Sequence, residues 1–92
     1  MPIKILIPTP LRLYTGGQSA VEVTAQTAGE ALSDLVAQYP DLGKHLFTES
    51  GKLRSFVNVY VNEEDIRYLN QDATPVKGDD TIMIVPSVAG GL

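Results

Sequence analysis

The sequence predicts an α+β domain, with a mixed sheet of four to five strands and one main helix packed across one face. Three observations predict it. Segments near the N-terminus and in the C-terminal half alternate apolar and polar residues, the period of a strand with one buried face. A single segment between them has helical spacing. The chain of 92 residues can build one core, with no room for a second domain.

The first strand runs from Ile3 to Ile7, with Ile3, Ile5 and Ile7 on one face and Lys4 and Leu6 on the other. Pro8 and Pro10 break it. Tyr14-Thr15-Gly16-Gly17-Gln18 then supplies turn chemistry, because glycine accepts positive φ without steric cost. Alternation resumes from Ala20 to Val23 with Val21 and Val23 inward, which gives an N-terminal hairpin with a long loop. Thr27-Ala28-Gly29-Glu30 fits a capping box, in which Thr caps one exposed N–H and Glu reaches back to another. Ala28, Leu32, Leu35, Val36 and Tyr39 form one apolar stripe of a helix that Pro40 closes.

Asp41 to Phe47 reads as a short irregular helical turn, with Leu42, Leu46 and Phe47 as satellite core residues and Ser50-Gly51 as a loop after it. Phe56 to Val61 is the clearest strand, with Val57, Val59 and Val61 on one face and Phe56, Asn58 and Tyr60 on the other. Asn62-Glu63-Glu64-Asp65 turns the chain, and Ile66 to Leu69 is expected as a short edge strand. Pro75 to Asp80 is a second turn region. Thr81 to Val85 is the last strand, with Ile82 and Ile84 inward. The first and last strands are the most hydrophobic and belong side by side at the centre of the sheet.

Composition narrows the function classes. Seven basic against eleven acidic residues give a net charge of −4, and only Lys52 and Arg54 lie close together. Nucleic-acid binding needs clustered cations, so no nucleic-acid partner is expected. The absence of cysteine removes disulfides, thiol nucleophiles and thiolate-ligated metals. No apolar run has the length to span a bilayer, and Met1-Pro2-Ile3-Lys4 opens directly on a strand pattern, so a cytoplasmic location is expected. His45 is the only histidine and reads as a surface or loop residue rather than a metal ligand. Glu63-Glu64-Asp65 and Asp79-Asp80 read as solvated turns, lacking the oxygen ligands that a calcium loop needs. The serines have no nucleophile-elbow setting and Gly16-Gly17 no phosphate-loop context. No enzyme activity of its own is expected.

The chain divides into a domain at 1–86 and a C-terminal tail at 87–92, where Pro86-Ser87-Val88-Ala89-Gly90-Gly91-Leu92 has no periodicity and ends in small residues. A Gly-Asp turn, a final apolar strand, a proline and then Val-Ala-Gly-Gly resemble the sulfur-carrier branch of the ubiquitin-like proteins. That branch includes the small subunit of molybdopterin synthase, the thiamine-pathway carrier and a carrier used in cysteine biosynthesis. Ile7-Pro8-Thr9, Leu11-Arg12, Thr15-Gly16-Gly17-Gln18, Gly51-Lys52-Leu53-Arg54, the stretch Phe56 to Asn62 and Glu64-Asp65-Ile66-Arg67 are most similar to the cysteine-pathway type. The resemblance covers essentially the whole chain and implies the ubiquitin-like β-grasp fold.

It also implies a chemistry. In carriers of this type an ATP-dependent partner adenylates the terminal glycine carboxylate, and sulfur then displaces AMP to leave a thiocarboxylate. By this resemblance Gly91 carries the acyl group and Gly90 precedes it, while Ala89 and Val88 thread the partner's channel. Glycine suits the threading, having no Cβ to clash. The chain itself then binds no cofactor or metal. Its partners are an adenylating enzyme of the ubiquitin-activating kind, which uses the ATP, and a sulfur-accepting enzyme such as a cysteine synthase.

Leu92 departs from the pattern, because it ties the Gly91 carbonyl into an amide. Three readings of it stand: a peptidase removes it, it was appended for expression, or this chain is no longer a carrier. Two rival roles also stand beside the carrier, a molybdopterin synthase small subunit and a ubiquitin-like modifier that forms isopeptide bonds. Finally, Leu6, Pro8, Asn58, Tyr60, Met83 and Val85 are expected together on the outer face of the sheet, an apolar patch suited to partner docking.

Overall fold

The computed structural model describes residues 2–54, 57–69 and 71–86. Five strands form one sheet: β1 (Ile3–Leu6), β2 (Ala20–Val23), β3 (Val57–Val61), β4 (Glu64–Asp65) and β5 (Thr81–Pro86). Their order is β2-β1-β5-β3-β4, so the first and last strands are neighbours at the centre. β1 and β5 run parallel, with Ile5 opposite Ile82, whereas the β1–β2, β3–β5 and β3–β4 pairs are antiparallel. The predicted alternation decides which face is buried. Ile3, Ile5, Ile7, Val21, Val23, Val57, Val59, Val61, Ile82 and Ile84 all lie inside.

Helix α1 (Ala28–Gln38) covers that inner face and buries Ala28, Ala31, Leu32 and Leu35, while Val36 and Tyr39 pack at its margin. Its start combines two carboxylate and hydroxyl contacts. Thr27 Oγ1 accepts from the Glu30 N–H at 3.1 Å, and Glu30 Oε1 accepts from the Gln26 N–H at 2.9 Å. The reciprocal bond thus goes to the N–H of the residue before the cap rather than to that of the cap itself. The chain before Thr81 braces the same end, since Ala28 N–H donates to Thr74 O and Val76 N–H to Gln26 O. Beyond Pro40 come a 3-10 turn (Pro40–Leu42) and the single-turn helix α2 (Gly43–Leu46), which bury Leu42 and Leu46 completely.

One expectation is corrected. The edge strand lies at Glu64–Asp65, and Ile66–Tyr68 is a 3-10 turn. Asn62 (φ 49°) and Glu63 (φ 75°) both adopt the left-handed conformation, so the turn closes in two residues and places Glu64 and Asp65 directly opposite Val61 and Tyr60. Ile66 then folds inward, only 4% exposed. The long loop of the N-terminal hairpin is a 3-10 run (Thr9–Thr15) ended by left-handed Gly16 and Gly17, where the glycine turn was expected. Buried Thr15 holds it, its hydroxyl placed to donate to the carbonyls of Arg12 and Gln18 at 3.1 and 3.0 Å. The predicted strand residue Phe56 lies outside the described residues.

Candidate functional site

The strand register brings the predicted surface set together. Met83, in the middle of β5, has Leu6 of β1 on one side and Tyr60 of β3 on the other. Asn58 pairs with Val85 one step further along. All five belong to the face that turns away from α1, because their strand neighbours fill the core. Met83 is 38% exposed, and Leu6, Asn58, Tyr60 and Val85 are half-buried.

Pro8 joins them at the end of β1. A shallow groove of about 270 Å³ opens there, bounded by Leu6, Pro8, Met83, Val85 and Pro86 and by Arg12. Arg12 arrives from the 3-10 run, and its Nε donates to the carbonyl of Ile7 at 3.0 Å. Sequence reasoning quoted Arg12 without assigning it a place on this face. Its position depends on the 3-10 conformation of residues 9–15, which the two prolines concealed. Leu13, 73% exposed on the same run, and Tyr68, 88% exposed beyond β4, are further apolar surface residues that the alternation pattern did not single out.

Pro86, the last described residue of β5, pairs with Val57 at the edge of this face. The predicted site residues Val88, Ala89, Gly90 and Gly91 lie outside the described residues, as does Leu92.

Other features carry structural roles. His45 is a correction to the surface or loop reading: it sits on α2, half-buried, with its ring 4.3 Å from that of Tyr14 and its Nε2 buried without a hydrogen-bond partner. No three His, Asp or Glu side chains gather as a metal site among the described residues. Asp80 belongs to a turn lock. Its carboxylate accepts from Asn62 Nδ2 and from the Lys77 N–H, each at 2.9 Å, and these bonds hold its pKa below the ordinary value. A wider hollow of about 940 Å³ between α1 and β3 is walled by Leu32, Phe47, Leu53, Val59 and Ile66. Among the described residues, no helix is long and apolar enough to cross a membrane.

The model of the ThiS family matches residues 5–91. The sulfur carrier protein CysO of Mycobacterium tuberculosis is 44% identical over 93 residues, spanning 99% of this chain and all of that protein. A chain in the crystal structure of the Amycolatopsis orientalis BexX/CysO complex superposes with a TM-score of 0.88 at 40% identity, covering 97% of this chain and 99% of that one. The small archaeal modifier protein SAMP1 of Haloferax volcanii superposes with a TM-score of 0.86 at 26% identity, covering 99% and 100%.

Proposed function

Since this chain belongs to the ThiS family and is a ubiquitin-like sulfur carrier, we propose that Gly91 is its sulfur-bearing residue and that cysteine biosynthesis is the pathway it serves. The observation that carries this reading is the family match, which runs through the glycine pair to Gly91 and leaves Leu92 beyond it. Full-length similarity to a mycobacterial sulfur carrier supports the pathway.

The chemistry has three steps. Hydrolysis of the Gly91–Leu92 amide frees the Gly91 carboxylate. An oxygen of that carboxylate attacks the α-phosphorus of ATP on the activating enzyme, forming the acyl-adenylate and releasing pyrophosphate. A hydrosulfide equivalent then attacks the acyl carbon, AMP leaves with the electron pair of the C–O bond, and a thiocarboxylate remains. The chain supplies a deliverable acyl group and a surface to hold it in register, and the partner supplies the activation. Leu6, Pro8, Asn58, Tyr60, Met83 and Val85 form the docking face in this reading. Support for it comes from their contiguity and from β5 ending in Pro86 at the edge of that face. A similar chain crystallised in a complex with BexX supports a protein partner for such a face.

ATP–pyrophosphate exchange with the adenylating enzyme of the same organism tests the proposal. Exchange is expected for a chain ending at Gly91 and not for one ending at Leu92. Failure of both forms to support exchange would refute Gly91 as the activated residue. The likeness to SAMP1 favours one second reading, conjugation to target lysines. Ladders of higher-mass conjugates in cell extracts would support that reading, and their absence would remove it.

A further inference from the structure

We infer that Arg12 determines which activating enzyme this chain engages, as a fixed cation at the root of the tail that pairs with a carboxylate on the enzyme's docking surface. The inference rests on the carrier reading and adds the charge by which the partner is read.

The Arg12 Nε–H···O bond to Ile7 turns the side chain back across the end of β1 and into the groove beside Pro8, Met83 and Pro86. One nitrogen is used in that anchor. Among the described residues no acceptor takes the two Nη groups. What remains is a planar, pre-positioned pair of donors, the geometry that matches a carboxylate. The position is also half-buried against apolar side chains, where a charge pair is screened less than on open surface.

Charge context selects the partner. The chain as a whole is acidic, with a net charge of −4, yet Arg12 is the one ionisable residue lining this groove among the described residues. General attraction therefore favours basic surfaces, while the groove demands one acidic group beside an apolar contact. A surface that offers a cation there is repelled, and one that offers neither charge leaves the guanidinium desolvated and unpaired.

The test measures adenylation kinetics of the Gly91-ending chain across a salt series, from about 0.03 to about 0.5 M. Arg12→Gln is expected to raise KM about tenfold at low salt with kcat within about twofold, the gap narrowing as salt rises. Arg12→Lys keeps the charge and loses the fork, so its KM falls between the two. An unchanged KM for Arg12→Gln, or a KM for Arg12→Lys as high as that for Arg12→Gln, overturns the inference. So does a lowered melting temperature with KM intact, the signature of a purely structural Ile7 anchor. Calorimetric binding to the enzyme without ATP keeps the two proposals apart. Weakened binding of Arg12→Gln, beside a wild-type chain that is never adenylated, refutes the activation of Gly91 and upholds the Arg12 contact.

Discussion

Asn62 and Asp80 are eighteen residues apart and clasp each other across two turns. The Asn62 amide donates to Asp80 Oδ1 at 2.9 Å, while Asn62 Oδ1 accepts from the Thr81 N–H at 3.0 Å. The β3–β4 turn is thereby tied to the chain that enters β5, the strand from which the tail emerges.

This clasp predicts a pH dependence. Bonds from Asn62 and from the Lys77 N–H hold the Asp80 pKa below its ordinary value of 3.8, so the folded state favours the carboxylate. The stabilisation is whole above that ordinary value and is lost as pH falls through the lower, folded value. Asp80→Asn turns the acceptor facing the Lys77 N–H into a donor or a weaker acceptor. It should cost about 1 kcal/mol at neutral pH in urea unfolding, and the difference from wild type should shrink as pH falls below 3.8 and through the lower, folded value.

Glu63 holds a left-handed φ of 75° with an exposed side chain. That conformation costs an L-residue about 1–2 kcal/mol, partly offset in glycine by the greater freedom of its unfolded chain. Glu63→Gly should therefore stabilise the domain by about 0.5 kcal/mol, read as a higher midpoint at unchanged slope in denaturant.

The helix and the sheet meet at Leu35, which has no exposed surface. Leu35→Ala should cost about 3 kcal/mol and lower the melting temperature by roughly 15 °C. Thr27→Ala removes only the cap on the Glu30 N–H and should cost about 1 kcal/mol.

Much of this was legible in the sequence for a local reason. Ile3-Ile5-Ile7 and Val57-Val59-Val61 are short-range patterns, and once β1 and β5 pair, the same patterns put Leu6, Tyr60 and Met83 in one row. The edge strand was not legible. Glu64 and Asp65 are polar and only two residues long, and their pairing follows from the left-handed pair Asn62-Glu63, a conformation that Glu63 does not advertise. Arg12 was hidden similarly, because its place in the groove depends on a carbonyl five residues earlier and on a 3-10 run behind two prolines. The tail's chemistry was read from composition and resemblance, and Gly90 and Gly91 lie beyond the described residues.

The docking face makes a separate prediction. Tyr60→Ala with Val85→Asp removes an aromatic contact and places a charge in the apolar patch, on strands whose core side is untouched. Affinity for the activating enzyme should fall by at least about tenfold, with a far-ultraviolet circular dichroism spectrum like that of the wild type.

Intact mass spectrometry of the untagged protein, isolated gently from its native cells, tests the central claim most directly. The account predicts a species ending at Gly91 with one carboxylate oxygen replaced by sulfur. Uniform protein ending at Leu92, even when the activating enzyme and ATP are supplied, would contradict it.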